Sequence, residues 1–404
     1  GPMPPPLWAV LQQRGATQEP DGHFHVELNT EDEITPLIDE LRARLRATRW
    51  PDPETVDDWS QGVPLAYAKD FCAYWAEEYD WPARQDRLNA FDQFVTTIDG
   101  LDIHFVHVRS PEAGARPLLI THGWPGSVVE FVKVLEPLTN PQAHGGAAQD
   151  AFHVVCPSLP GYGFSGKPTR AGTSVERIAG MWDELMGRLG YDRYYAQGGD
   201  WGSAVTTSIG LQNLGRCAGI HVNMPNAGPS ERARTAPDAA DLRAFERGKE
   251  YQDVDSGYSK QQSTRPQTLG YGLADSPAGQ AMWVLEKFWK WTDCDGDPET
   301  VLTRDELLDN VMLYWLNNAA GSSARIYWES FNKVSQGPLT LPSAISLYPK
   351  EIFRTSERWA RRRFTDLRRF NRAEKGGHFA AMECPEHFVS ELRASFALMA
   401  LAEA

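Results

Sequence analysis

Apolar residues change their period along this chain, and each change predicts a different element. Residues 34 to 50 (ITPLIDELRARLRATRW) set Ile34, Leu37, Ile38, Leu41 and Leu45 at helical spacing with Glu and Arg opposite, which predicts an amphipathic surface helix. Residues 64 to 90 continue in helical, Pro-punctuated segments rich in Trp and Tyr, so 24–91 reads as an N-terminal helical meander packed on the core. Near residue 92 the period falls to two. FDQFVTTIDG and LDIHFVHVRS read as paired strands around an Asp99-Gly100 turn, with Leu101, Ile103 and Phe105 on one face. Val106 and Val108 fall on the other face, so the far end of that strand should be covered on both sides. PLLITHG and FHVVCPS are continuous apolar runs, each followed by Gly or Pro and a helix-period stretch, as fully buried parallel strands are.

The helix after Gly172 carries Thr173-x-x-Glu176 as a capping box and Ile178, Trp182, Leu185 and Leu189 as its buried stripe, and it stops at Gly190. The strand YDRYYAQ, a Gly-rich turn, the helix SAVTTSIGLQNL and the strand CAGIHVNM follow. From about 225 to 340 the strand rhythm disappears into polar, helix-period sequence loaded with Tyr and Trp, which predicts a helical lid inserted between two halves of a sheet. The rhythm resumes at SAISLYP, and EHFVSELRASFALMALAEA closes the chain as a helix. The expected fold is therefore α/β: a central, mostly parallel sheet over 92–224 and 341–404, a lid over 225–340, and a tail over 1–23. Gly1-Pro2-Met3 reads as a protease scar before the native start.

A formal net charge of −14 argues against nucleic acid or an anionic membrane as the main partner, because both reward a basic face. No apolar run approaches the roughly 18 residues of a spanning helix. Cys72, Cys156, Cys217, Cys294 and Cys384 are scattered, odd in number and without a Cys-x-x-Cys pair, which predicts reduced thiols of a cytoplasmic protein and no zinc site. Fourteen Trp exceed what a core needs and suggest an aromatic pocket for a small neutral ligand.

The chemistry concentrates in Gly198-Gly199-Asp200-Trp201-Gly202, between a predicted strand and a predicted helix. Gly-x-nucleophile-x-Gly in that setting is the nucleophile elbow of the α/β-hydrolase fold, here with Asp in place of Ser. A Ser that attacked saturated carbon would leave an ether, which a His-activated water cannot cleave, whereas a carboxylate leaves an ester that it can. Asp200 therefore points to displacement at an epoxide or a haloalkane. The oxyanion donors expected in this fold are the backbone N–H of Trp201 and, in His122-Gly123-Trp124-Pro125-Gly126, that of Trp124. His122 precedes the turn and reads as structural. His378, in Lys375-Gly376-Gly377-His378-Phe379 before the last helix, is the expected base. Chain order then puts the orienting acid between them: Glu351, after SAISLYP, is favoured over Glu357 and Asp366. Opening an epoxide also needs a donor for the alkoxide, and the lid tyrosines Tyr251, Tyr258, Tyr271, Tyr314 and Tyr327 are all candidates.

From residue 34 onward the chain resembles the microsomal-type epoxide hydrolases, in HGWPGS at 122–127, GGDWG at 198–202 and GGHFAAME at 376–383. The resemblance implies epoxide-binding roles for Tyr258, in Ser256-Gly257-Tyr258-Ser259, and Tyr327, in Arg325-Ile326-Tyr327. It also implies that Glu351, in YPKEIFRTSERW, orients the histidine. It implies hydrolysis of a small, hydrophobic or aromatic epoxide with no metal or organic cofactor. Mammalian members begin with a membrane anchor, which this chain lacks, so membrane association does not carry over. A haloalkane dehalogenase would share the fold and the Asp but not the paired tyrosines, and a non-catalytic binder would need a broken triad. The source reads as GC-rich bacterial, which leaves open both detoxification and natural-product tailoring; a homodimer stands only as a guess.

Overall fold

The computed structural model describes residues 18–20 and 22–401, so the tail read over residues 1–23 lies almost wholly outside the described residues. Strands β1 (Phe24–Val26), β2 (Gln93–Ile98), β3 (Leu101–Val108), β4 (Arg116–Thr121), β5 (Phe152–Pro157), β6 (Tyr194–Gly198), β7 (Cys217–Val222), β8 (Ser343–Leu347) and β9 (Leu367–Arg372) form one sheet. Its order is β1-β2-β3-β5-β4-β6-β7-β8-β9. The β1, β2, β3 and β5 neighbours run antiparallel, and every pairing from β5 through β9 is parallel. The β2–β3 hairpin turns at Asp99 and Gly100, both at positive φ (51° and 76°), as a two-residue turn of this twist requires. Buried Val106, His104 and His107 show that β3 is covered on both sides over most of its length.

Two edge strands escaped the sequence pattern. Phe24–Val26 was expected in a helical meander, yet it pairs with β2, because three residues are too few to show a period. LRRFNR carries three arginines, and an edge strand tolerates polar residues that a central one cannot.

The first helices are α1 (Glu31–Arg46), α2 (Leu65–Glu77) and α3 (Trp81–Asn89). α1 buries Ile34, Leu41 and Leu45, but Leu37, expected in its apolar stripe, is exposed. The core helices α4 (Val132–Thr139), α5 (Val175–Arg188) and α6 (Trp201–Gln212) follow β4, β5 and β6. The cap of α5 is Ser174, whose side chain accepts from Arg177 N, and not Thr173, one residue earlier. Of the predicted stripe, Ile178, Trp182 and Leu185 are buried, while Leu189, at the C-cap, is half-buried.

Between β7 and β8 the chain is helical: α7 (Glu231–Thr235), α8 (Ala239–Glu250), a π-turn (Tyr251–Asp255), α9 (Gly257–Thr264), α10 (Pro266–Asp275), α11 (Pro277–Trp291), α12 (Arg304–Leu316) and α13 (Ala319–Ser330). After β8 come α14 (Glu357–Arg363), α15 (Ala380–Glu383) and α16 (Pro385–Leu401), which packs with α4. β4 lies between β5 and β6, so the chain direction around the sheet reverses there. In open α/β sheets that reversal leaves a crevice outside the carboxyl ends of the strands.

Candidate active site

Asp200 sits in that crevice, on the turn from β6 to α6, with φ 52° and ψ −130°. A non-glycine residue in that region is strained and persists only where its surroundings enforce it. The surroundings are tight. A Cβ on Gly202 would come within 1.9 Å of Thr121 O, and one on Gly123 within 2.2 Å of Asp200 Oδ2, so both positions require glycine.

The Asp200 carboxylate is held at each oxygen by a different group. Trp124 N donates to Oδ2 at 2.8 Å, and His378 Nε2 lies 3.0 Å from Oδ1. The other ring nitrogen of His378, Nδ1, is in close contact with Glu351 Oε1, which also accepts from Ile352 N at 2.9 Å. Burial alone would push the His378 imidazole down. The Glu351 and Asp200 carboxylates on either side outweigh it and hold the ring well above its ordinary 6.5. The competing acids are elsewhere: Glu357 is exposed and pairs with Arg361, and Asp366 pairs with Arg368.

His122 has a structural environment. Leu159 N donates to its Nε2 at 3.1 Å, so Nδ1 carries the proton given to Gly123 O, and burial pushes the ring down to about 4. Trp201 opens α6 directly after Asp200. Tyr258 and Tyr327 are buried with ring centroids 5.8 Å apart, and both pack on Trp124, Tyr258 stacked at 5.0 Å and Tyr327 edge-on at 5.8 Å. Burial pushes both phenols well above 10, so each is a neutral donor. Of the other candidates, Tyr271 is 70% exposed, Tyr314 donates to Gly126 O, and Tyr251 stands behind Tyr258.

Sequence reasoning missed Glu130. The residue is part-buried, with its carboxyl turned inward under the Trp124 loop, where burial lifts it to about 8 while His378 and the N–H groups of Gly123 and Ser127 pull the other way. A Cβ on Gly126 would lie 1.9 Å from Glu130 Oε2, so the Trp124 loop is wound closely around this side chain. The available signal was a lone acid within the apolar run VVEFVKVL. Also missed was Asn310 of α12, which donates to Pro125 O at 2.7 Å and accepts from Ser127 Oγ at 2.8 Å. A cleft of about 1010 Å³, lined among others by Trp50, Leu65, Met282, Trp283 and Lys287, reaches Tyr258 but not Asp200.

An aspartate raised on such a turn at the carboxyl edge of a mostly parallel sheet, with a His–Glu pair against it, places the chain among the α/β hydrolases that attack with a carboxylate. Residues 24–131 match the family described as epoxide hydrolase N terminus, and residues 116–255 match the alpha/beta hydrolase fold. The chain is 51% identical over 360 residues to a Stigmatella aurantiaca protein assigned to the epoxide hydrolases, covering 89% of this chain and 82% of that one. Epoxide hydrolase 1 of Sus scrofa is 34% identical over 427 residues, covering 97% and 92%. The crystal structure of juvenile hormone epoxide hydrolase from Bombyx mori superimposes with a TM-score of 0.87 at 30% identity, covering 98% of each chain. This chain belongs to the epoxide hydrolase family. It is an epoxide hydrolase, converting a small-molecule epoxide to a vicinal diol through a covalent Asp ester. Among the described residues no helix is long and apolar enough to cross a membrane.

Proposed function

We propose that Asp200 is the nucleophile, His378 the base, Glu351 its orienting acid, and Tyr258 and Tyr327 the donors to the epoxide oxygen. The N–H groups of Trp124 and Trp201 form the oxyanion hole. The observation that carries this reading is the division of Asp200 between its two partners, with Oδ2 on Trp124 N–H and Oδ1 beside His378. Oδ1 attacks a ring carbon, and Oδ2 becomes the carbonyl oxygen of the ester, already seated on a donor.

The proton inventory closes over two half-reactions. The Glu351 and Asp200 carboxylates on either side favour the charged form of His378, and the cycle starts from the imidazolium. Tyr258 or Tyr327 gives its proton to the new alkoxide. Once Asp200 is a neutral ester, one of the carboxylates beside His378 is gone, the ring's proton affinity falls, and its proton is released to solvent while the tyrosinate takes one up. His378 is then a base. It takes a proton from water, the resulting hydroxide adds to the ester carbonyl, and the oxyanion rests on Trp124 and Trp201. Collapse expels the diol oxygen, which takes the proton from His378, and the Asp200 acid then gives its own proton back to His378.

The cleft ending at Tyr258 is the route by which a hydrophobic or aromatic epoxide enters, and the helices over 225–340 act as its lid. Five unpaired cysteines support a cytoplasmic location. The deciding experiment is intact-protein mass spectrometry of His378→Gln exposed to styrene oxide. The expected result is a mass gain of one whole epoxide, mapped by digestion to Asp200, and no gain in Asp200→Ala, which also produces no diol. Diol formation by Asp200→Ala at the wild-type rate overturns the assignment.

A further inference from the structure

Of the two tyrosines assigned to the epoxide, Tyr327 packs edge-on against the Trp201 ring, with centroids 5.0 Å apart. Behind Tyr258 stands a third tyrosine. The hydroxyl oxygens of Tyr251 and Tyr258 are 2.9 Å apart, and the Tyr251 oxygen is also 2.9 Å from Ser259 Oγ. Ser259 Oγ donates in turn to Ser256 O at 2.9 Å. Tyr251 is 4% exposed and packs edge-on against Tyr258, so the pair is fixed. It opens the π-turn Tyr251–Asp255, an irregularity that recurs at functional sites. Asp255, at the other end of that turn, binds Lys287 Nζ at 2.9 Å and Trp291 Nε1 at 2.7 Å, which anchors the turn on α11.

Each hydroxyl has one proton to give. Ser259 gives its proton to Ser256 O, so the single Tyr251 proton is shared between two acceptors, Ser259 Oγ and the Tyr258 oxygen, and while it serves Ser259 the Tyr258 proton is free to serve Tyr251. Once Tyr258 turns its proton toward an epoxide oxygen, that arrangement no longer holds. The Tyr251 oxygen loses its donor, and the Tyr258 oxygen presents a lone pair 2.9 Å from the Tyr251 hydroxyl.

We propose that Tyr251 is a positioning residue for ring opening, its hydroxyl swinging from Ser259 to the Tyr258 oxygen as Tyr258 donates to the epoxide. The proposal rests on the assignment of Tyr258 made above. As the ring C–O bond breaks and the Asp200 Oδ1–carbon bond forms, the electron pair goes to the epoxide oxygen and the Tyr258 proton moves toward it. Tyr251 keeps its own proton and shares the negative charge left on the Tyr258 oxygen. Ester hydrolysis places no charge there, so Tyr251 bears on the first half-reaction alone. Ser259 competes for the Tyr251 proton, so removing Ser259 should help.

Single-turnover stopped-flow with styrene oxide, following tryptophan fluorescence, resolves the two half-reactions. Tyr251→Phe is expected to slow alkylation about tenfold, the worth of one hydrogen bond to a developing charge, with ester hydrolysis within about twofold of wild type. Ser259→Ala is expected to speed alkylation about twofold, a gain that a purely structural serine would not give. In a Tyr258→Phe background, where Tyr327 still supports a measurable rate, Tyr251→Phe is expected to cost nothing further. Unchanged alkylation in Tyr251→Phe, or the same tenfold loss in the Tyr258→Phe background, overturns the proposal, and so does a slower Ser259→Ala. A Tyr258→Phe enzyme as fast as wild type would instead remove the assignment on which the proposal stands.

Discussion

Asp200 shows at the scale of one residue how much is spent on geometry: a non-glycine at φ 52° is kept there by neighbours that tolerate no side chain. Gly123→Ala should therefore lose alkylation by about a hundredfold, because its Cβ would displace the Asp200 side chain. Wild-type single-turnover rates with an intact melting curve would contradict this. Glu130 carries a pH signature. Burial lifts its carboxyl from an ordinary 4.5 to about 8, so the folded chain holds that proton more tightly than the unfolded chain. The stability from this group is full below about 4.5 and is lost as pH rises through 8. Against Glu130→Gln, which does not titrate, the wild-type melting temperature should fall steadily between pH 5 and pH 9; a constant gap sinks the reading.

At the scale of elements, the loop bearing Trp124 is held from two sides. Glu130 fills its inside, and α12, from the helices between β7 and β8, holds it with Asn310 on Pro125 O and Ser127 Oγ and Tyr314 on Gly126 O. Asn310 is fully buried, so Asn310→Ala leaves the Pro125 carbonyl without its donor and the Ser127 hydroxyl without its acceptor, at a cost of about 2 kcal/mol. Ester hydrolysis should slow more than alkylation, because the tetrahedral oxyanion needs Trp124 N–H more than the resting carboxylate does. Chemical denaturation with stopped-flow checks both, and equal slowing of the two steps would show that the loop only packs. The His378 loop is fastened to the same helices: His378 N donates to Trp291 O, and Gly376 N to Asp293 Oδ2. Glu383 bridges Asp293 N and Phe379 N.

Across the whole molecule, the N-terminal helices are tied to α12, between β7 and β8, by its acidic side chains. Arg84 forms a two-pronged pair with Asp309, which also accepts from Tyr79, and Tyr74 donates to Asp305. The Arg84 and Asp309 side chains are 16% and 14% exposed, so Arg84→Ala strands a mostly buried carboxylate and should cost about 3 kcal/mol. Hydrogen exchange should then quicken in α12 before β4 and β6. Protection that falls equally in all three would mean that the Arg84–Asp309 tie does not act on α12 separately.

The periodic pattern determined the central strands, the helical insert and the amphipathic helices, because burial on one face or two writes itself into sequence at period 3.6 or as unbroken apolar runs. It could not show β1 or β9, which are too short or too polar to carry a period. The Gly-x-Asp-x-Gly turn marked Asp200, since a strained turn needs small neighbours that are adjacent in sequence. Chain order and resemblance then selected Glu351, Tyr258 and Tyr327. What only the tertiary structure decided are the relations between distant residues: Glu130 under the Trp124 loop, Asn310 across it, Tyr251 behind Tyr258. None of these has a local signature, because a hydrogen bond between elements far apart in the chain leaves no spacing to read.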